Sequence, residues 1–314
     1  MKAAKAFAGV GLFLSILLVG DASAARIGYV VVESAQSGLL GVDINEEADA
    51  ADLIFNAETQ LLAAANTMGI VNHLAHLREQ GHEVRIYGSQ TDDALGLEYM
   101  EAHNDLIIVS ETPGSSETGT FYATSRIPVI ICESYVLDNY QLFTDWDIRC
   151  FCDEDINARE FRVARQHPIT AGLPEVFAPL ATDPATGKPY IGNWTVLTEG
   201  DRVTTFSDNI LLTLVDPVAP IPQENAYFLT EPVPVLWAFE PGQMPLGNQA
   251  RAVFFGWGTE NATGVGITGE PLFADGSTAG IYAFDVTGDL GWQLWDRVVN
   301  WALGGTAVSQ WSVY

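Results

Sequence analysis

The chain has 314 residues, of which 48% are hydrophobic and 11% aromatic, enough to bury a sizeable core. Its 14 lysines and arginines stand against 40 aspartates and glutamates, which gives a net charge of −26. A surface this acidic repels nucleic acid and anionic lipid, so neither is expected as a partner.

The first 24 residues have the pattern of a secretory signal peptide. A start with two lysines precedes an apolar run from Phe7 to Gly20, and Ala22-Ser23-Ala24 fits the small-residue cleavage site. The run is short for a bilayer span, which argues against a retained anchor. We therefore expect cleavage after Ala24 and a secreted or periplasmic mature protein without a membrane span. Residues 25–314 are expected to form a single domain.

Strand and helix patterns alternate in the next hundred residues. Strands are predicted at RIGYVVVE (26–33), EVRIY (83–87), DLIIVS (105–110) and IPVIIC (127–132), and helices at about 53–80 and 95–103. Gly81 stands where the first helix would be capped. Because the strands are apolar on both faces, they predict a parallel sheet that is covered on both sides.

The pattern changes between about residues 174 and 249. Prolines, glycines and short alternating runs such as ILLTLV (210–215) and VPVLWAFE (233–240) indicate a β-rich, antiparallel extension. It runs directly into RAVFFGW (251–257), another buried strand, so it is not separated as a domain. A helix that ends at Gly304 closes the pattern, with Leu294, Val298, Trp301 and Ala302 on one apolar face.

Five segments recur in the same order in a known group of proteins. They are DLIIVSETPGS, IPVIICESYVLD, HPITAGL, RAVFFGW and GWQLWDRVVNWALG. The chain thereby resembles the bacterial ThuA-like proteins, relatives of the class I glutamine amidotransferases, from about Arg26 to Gly304. The resemblance implies a flavodoxin-like three-layer α/β sandwich with a mostly parallel sheet and, here, a β-rich C-terminal extension. Since ThuA-like proteins are linked to sugar utilisation, it also implies a carbohydrate-related ligand.

The catalytic pattern of the amidotransferase relatives is altered in this chain. Those relatives carry a strand ending in a pattern of the type P-V-x-G-x-C-x-G, whose cysteine is the nucleophile at a sharp turn. Here Glu133 falls at the cysteine position and Tyr135 at the position of the last glycine. His167-Pro168 is followed by Ile169 instead of glutamate. Glutamine hydrolysis by a Cys–His pair is therefore not expected.

Carboxylates follow three of the four predicted strands, at Glu33, Glu111 and Glu133. If the parallel sheet forms, all three lie at its carboxyl end, where such folds bind ligands. Gathered carboxylates can exchange protons or hold a hard cation, so they are the candidate catalytic residues. The identity of any metal stays open, and no cofactor is implied. In the competing interpretation each glutamate caps the helix that follows it.

The cysteines, histidines and tryptophans singled out below are interpreted as structural residues and not as site residues. By strand alternation Cys132 faces away from Glu133, as a buried thiol. Three cysteines are too few for a disulfide scaffold, and their redox states stay open: Cys132, Cys150 and Cys152. Three histidines are interpreted as solvated or capping residues: His73, His76 and His82. Three tryptophans are expected to pack in the core: Trp194, Trp237 and Trp257.

Three functions fit these patterns. The first is a ThuA-like domain without amidotransferase activity that binds a small ligand, such as a carbohydrate. The second is a hydrolase that uses Glu133 with Glu111 or Glu33, with or without a divalent cation. The third is a surface assembly protein. The odd number of cysteines and the apolar extension favour this function. The sequence leaves open whether the protein is an enzyme and what its oligomeric state is.

Overall fold

The fold is mixed α/β and is built on one nine-stranded sheet with a separate two-stranded ribbon. The structure is a computed structural model. It describes residues 24–31, 70–88, 94–111, 113, 118–132, 136–137, 139–141, 156–184, 187–190, 192–194, 207–216, 233–257 and 283–305. Among the helices in these ranges, none is long and apolar enough to cross a membrane.

Eleven strands and three α-helices are described. The strands are β1 (Arg26–Val31), β2 (Glu83–Gly88), β3 (Leu106–Val109), β4 (Val129–Ile131), β5 (Ile156–Ala158), β6 (Glu160–Val163), β7 (Val176–Phe177), β8 (Gly192–Trp194), β9 (Ile210–Val215), β10 (Pro234–Phe239) and β11 (Ala252–Phe255). The helices are α1 (Ile70–Glu79), α2 (Ala94–His103) and α3 (Asp289–Ala302).

Five strands form a parallel half of the sheet, in the order β2-β1-β3-β4-β11. Counted among the parallel strands along the chain, this is the order 2-1-3-4-5 of flavodoxin-like folds. All residues of β3 and β4 are buried, as their runs of branched aliphatic residues predict for a sheet that is covered on both faces. The parallel sheet expected from the sequence is confirmed, and each strand lies close to its predicted position.

The other half of the sheet is antiparallel. β11 pairs antiparallel with β10, and the sheet continues through β9, β6 and β7. β9 and β10 come from the predicted β-rich extension, and they complete the main sheet. β5 and β8 form the separate ribbon, where the indole N–H of Trp194 donates to the carbonyl oxygen of Ala158 at 3.0 Å.

Helices cover both faces of the parallel half. Ile70 and Leu74 of α1 share one buried cluster with Leu294 and Val298 of α3. α2 belongs to a second cluster, on the opposite face, through Leu97 and Met100. α2 lies where the sequence predicts it, and α1 is the last part of the helix expected over 53–80, whose first residues lie outside the described ranges. The tryptophan prediction is confirmed, since Trp194, Trp237 and Trp257 are all buried.

Glycine ends α1 and α3 in the same way. Gly81 has φ +89° and Gly304 has φ +93°, so both lie in the left-handed region. After α1, the Gly81 N–H donates to the Arg78 carbonyl oxygen at 2.9 Å and the His82 N–H to that of Leu77 at 3.1 Å. This pair of bonds is a Schellman motif, which turns the chain directly from α1 into β2.

α3 lies antiparallel to β11, and its two ends mark the two ends of the sheet. Arg251, immediately before β11, donates from Nη1 to the Trp301 carbonyl oxygen at 2.5 Å. The guanidinium also lies 4.7 Å from the centroid of the Trp301 ring. At the other end, the Gly291 backbone packs on Pro179 so closely that a Cβ would come within 2.2 Å of its carbonyl oxygen. The last turn of α3 therefore lies beside the first residues of the parallel strands.

Candidate functional site at the carboxyl edge of the sheet

Three neighbouring parallel strands end within one residue of the same level. Val30 pairs with Val109, and Val109 pairs with Ile131; β3 and β4 end at these residues, and β1 ends one residue later, at Val31. The Ser110 N–H donates to the Val30 carbonyl oxygen at 3.0 Å, and the Cys132 N–H to that of Val109 at 2.9 Å. This row of strand ends is the carboxyl edge of the sheet, where parallel α/β folds bind their ligands.

Glu111 is the one predicted catalytic residue that falls within the described ranges. It follows the fully buried Ser110 directly, and it is half-buried. Glu33 and Glu133 lie outside the described residues, so the gathering of three carboxylates stays a prediction. The described geometry supplies the edge at which they would meet.

Cys132 lies beneath this edge. It is present as a thiol, is 1% exposed, and packs in the same cluster as Ile130 and Tyr29. Its neighbour Ile131 belongs to the cluster on the opposite face of the sheet. The predicted burial of Cys132 is therefore confirmed, whereas its orientation relative to Glu133 stays a prediction. A thiol so enclosed is shielded from any ligand in solution.

A buried hydrogen bond joins β1 to α1 below the edge. The Tyr29 hydroxyl lies 3.0 Å from Nδ1 of His73, and both side chains are fully buried. Burial raises the pKa of Tyr29 well above its ordinary value, with a smaller contribution from the neighbouring Cys132. Burial likewise lowers the pKa of His73 well below 6.5, so its imidazole is neutral. The phenol therefore donates to Nδ1, and the imidazole proton is on Nε2.

Aromatic rings enclose His73 on its other sides. Its ring stacks on Phe284 at 4.2 Å between centroids and lies 4.3 Å from Trp295, and Nε2 has no hydrogen-bond partner. The interpretation of His73 as a solvated residue is therefore wrong. The sequence did carry a signal, because His73 falls on the apolar stripe of α1 with Ile70, Leu74 and Leu77.

His76 and His82 are also structural residues. His76 Nε2 lies 2.7 Å from Asp296 Oδ1, and its ring stacks on Trp292 at 4.1 Å, so it joins α1 to α3. His82 is 8% exposed, which again differs from a solvated residue. Within the described part of the chain, no group of three His, Cys, Asp or Glu residues could hold a metal ion.

His167 lies at the opposite end of the sheet from Cys132. Its ring packs edge-on against Trp301, 5.0 Å between centroids, in the last turn of α3. Burial lowers the pKa of His167 to about 4. Trp301 in turn accepts from Arg251, which precedes β11, whereas Cys132 follows β4. The two residues therefore cannot act as a nucleophile and its base.

Comparison with known proteins finds similarity to a solved structure. The sequence matches no family model and no curated protein. The chain is similar to the crystal structure of a protein assigned as ThuA-like from Parabacteroides merdae, with a TM-score of 0.44. The identity is 14%, over 91% of this chain and 92% of that chain. At this identity and TM-score, function has to be argued from the residues of this chain.

Proposed function

We propose that the protein is an exported ThuA-like domain that binds a small, carbohydrate-related ligand at the carboxyl edge of its sheet. We further propose that its fold is the flavodoxin-like three-layer sandwich and that it does not hydrolyse glutamine. The strand order 2-1-3-4-5 and the order of the five sequence motifs support the family and the fold.

The common level of the strand ends is the observation that carries the ligand site. Val109 and Ile131 are paired, and Glu111 and Glu133 each stand two residues further along their strands. Neighbouring strands of a sheet are about 4.8 Å apart. We propose that Glu111 and Glu133 therefore face the same ligand. Carboxylates placed this way accept hydrogen bonds from sugar hydroxyls, which are donors.

Two features speak against amidotransferase chemistry. The Cys132 thiol is 1% exposed within the core cluster of Tyr29, so substrate cannot reach its sulfur. His167 lies beside Trp301, at the far end of the sheet. A nucleophilic cysteine needs access for its substrate and a base within hydrogen-bond reach, and His167, the histidine of the sequence motif, does not reach Cys132.

The test is thermal unfolding of the mature protein with a panel of sugars and divalent cations. A ligand at about 100 times its dissociation constant stabilises the fold by about 2.7 kcal/mol, a readily measured shift. We expect a sugar to raise the unfolding temperature of the wild type and to lose that effect in Glu111→Gln and Glu133→Gln. Glu79→Gln is the matched control, because Glu79 is an exposed residue at the end of α1, beside the opposite edge.

The outcomes separate the candidate functions. A shift with sugar that survives both edge substitutions would place the ligand elsewhere and contradict the proposal. Release of product from a glycoside, lost in Glu133→Gln, would favour the hydrolase alternative. Ammonia release from glutamine, lost in Cys132→Ser, would restore the amidotransferase function that the burial of Cys132 argues against.

A further inference from the structure

The residue that follows the predicted cleavage site is bound into the fold by its own backbone. Ala24 is exposed, whereas Ala25 is only 6% exposed. The Ala25 N–H donates to Nδ1 of His82 at 3.3 Å, and the Ala25 carbonyl oxygen accepts from the Glu83 N–H at 2.9 Å. The boundary between exposed and docked chain therefore falls at the predicted cleavage bond.

The next residue is held just as fully. The Arg26 N–H donates to Asp105 Oδ2 at 2.8 Å, and the Arg26 carbonyl oxygen accepts from the Asp105 N–H at 2.7 Å. The side chains add an ion pair, with Arg26 Nη2 at 2.8 Å from Asp105 Oδ1. Four consecutive backbone groups after Ala24 thus have partners within the fold.

These bonds compete with any protease for the same backbone. A protease binds the residues on both sides of its target bond as an extended strand and uses their N–H and carbonyl groups. In the folded chain these groups of Ala25 and Arg26 are already paired with His82, Glu83 and Asp105. A protease can therefore bind the peptide bond between Ala24 and Ala25 only while β1 is outside the sheet.

We propose that the bond between Ala24 and Ala25 is cut before β1 joins the sheet, and that His82 then holds the α-amino group which the cut creates. The inference rests on the signal peptide included in the proposed function. Water adds across the peptide bond, so a carboxylate stays on Ala24 and an amine, which takes up a proton, on Ala25. The ammonium group of Ala25 still has N–H bonds. One of them can donate to His82 Nδ1, which accepts from the Ala25 N–H in the uncut chain.

His82 is suited to accept from an ammonium group. Its Nδ1 atom lies 3.3 Å from the Ala25 nitrogen, and the titratable side chains that act on its imidazole are His76 on α1 and Asp296 on α3. Burial lowers its pKa, Asp296 opposes that shift and His76 adds to it, so His82 is neutral near pH 7. A neutral ring with Nδ1 free of a proton is an acceptor.

The order of cutting and folding is tested on the full-length chain. Purified signal peptidase in detergent micelles is offered this chain either refolded or freshly diluted from urea, and mass spectrometry identifies the new N-terminus. We expect cutting between Ala24 and Ala25 that is at least about tenfold slower in the refolded chain, because its strand must first detach. Equal rates, or a cut at another bond, would overturn the proposal.

A matched pair of substitutions tests the docking of β1. Asp105→Asn removes the charge that holds Arg26, so it should speed cutting of the refolded chain. Glu240→Gln removes a comparable ion pair, with Arg251 at 3.0 Å, in another part of the sheet and should leave the rate unchanged. The same rate in both variants as in the wild type would show that β1 does not limit access.

The role of His82 is tested by acylation of the α-amino group in the chain that begins at Ala25. Labelling of the wild type should be slower, by about tenfold, than labelling of His82→Leu, which lacks an acceptor. His82→Gln keeps a side-chain acceptor and should resemble the wild type. Equal labelling of all three would overturn this part. None of these cutting and acylation experiments uses a sugar. Their outcome therefore does not bear on the proposed ligand site, and the outcome of the sugar-binding test does not bear on them.

Discussion

At the scale of single residues, the Tyr29–His73 pair is a fully buried polar contact in the core. Two fully buried polar side chains satisfy each other at 3.0 Å, and the remaining imidazole nitrogen has only aromatic neighbours. A charged imidazole in this place would be costly, since burying an uncompensated charge is strongly unfavourable. His73 therefore stabilises the fold only while it is neutral.

The pH dependence of stability follows from this burial. The folded pKa of His73 lies well below the unfolded value of 6.5, so its contribution is complete above pH 6.5 and is lost as the pH falls below it. From pH 7 to pH 5, the wild type should lose about 1–2 kcal/mol more unfolding free energy than His73→Phe. Urea unfolding at the two pH values measures the difference.

Tyr29→Phe is the control for this experiment. It removes the hydroxyl and leaves the buried imidazole, so it should be less stable at both pH values and still show the wild-type loss on acidification. If His73→Phe loses as much stability as the wild type, His73 does not titrate in the way that its burial requires.

Residue-level prediction succeeded for side chains whose direction depends only on local alternation. Cys132 follows Ile130 by two positions on one strand, and both face the same cluster. It failed for His73, because a polar residue type outweighed its position on the apolar stripe of α1. What makes that position acceptable is Tyr29, which is distant in sequence and is brought close only by the fold.

At the scale of elements, the two Schellman motifs link sequence to fold most directly. Gly81 and Gly304 were both expected as helix caps, and both have positive φ. Nothing lies within 4 Å of the position of a Cβ on Gly81. A substitution there is therefore limited by backbone conformation and not by space.

Gly81→Ala should lower the free energy of unfolding by about 1 kcal/mol, because alanine resists the left-handed conformation that α1 needs at its end. Gly81→Asn should cost less, because asparagine enters that conformation more readily. Urea unfolding of the two variants gives the comparison. An equal cost for both would mean that the loss does not come from the backbone angle.

Strands that lie in continuous apolar runs were predictable, and strands without such a run were not. β3 and β4 lie within apolar runs that indicate their burial on both faces. β6 has only one fully buried residue, Phe161, and β7 has only two residues. These two strands exist because β9 offers an edge to β6 and β6 an edge to β7, a tertiary effect that no local pattern contains.

At the scale of the whole molecule, acidic charge is the dominant feature. The net charge is −26, and the described arginines that form ion pairs include Arg26, Arg126 and Arg251. Local pairs remove a few of the 40 acidic charges, and the rest repel one another. Such repulsion weakens the folded state most at low ionic strength.

Salt should therefore stabilise the protein. Raising NaCl from about 0.05 to 0.5 M should raise the unfolding temperature by a few degrees, because the Debye length falls well below the distance between surface charges. KCl should give the same rise, since screening depends on ionic strength alone. A fall in unfolding temperature would mean that ion pairs outweigh the repulsion, and a large difference between the two salts would indicate ion binding.

The carboxyl edge of the sheet was predictable from the sequence, whereas the ligand site at that edge stays a prediction. Val109 and Ile131 end β3 and β4 side by side, and β1 ends one residue beyond the Val30 that pairs with Val109. Whether Glu33 joins Glu111 and Glu133 stays a prediction, because Glu33 and Glu133 lie outside the described residues and strand alternation does not fix the course of a connection. Strand pairing determines the carboxyl edge of the sheet, whereas the connections after the strands determine which carboxylates meet there.

The position of β11 has a consequence for the time at which the sheet can form. β11 lies in the middle of the nine-stranded sheet, between β4 and β10, yet it comes last along the chain among the described strands. The two halves of the sheet can therefore join only after nearly the whole polypeptide has been made. Contacts between residues so far apart in sequence form slowly. Under the export that we propose, this delay leaves the sheet unformed while the chain crosses the membrane.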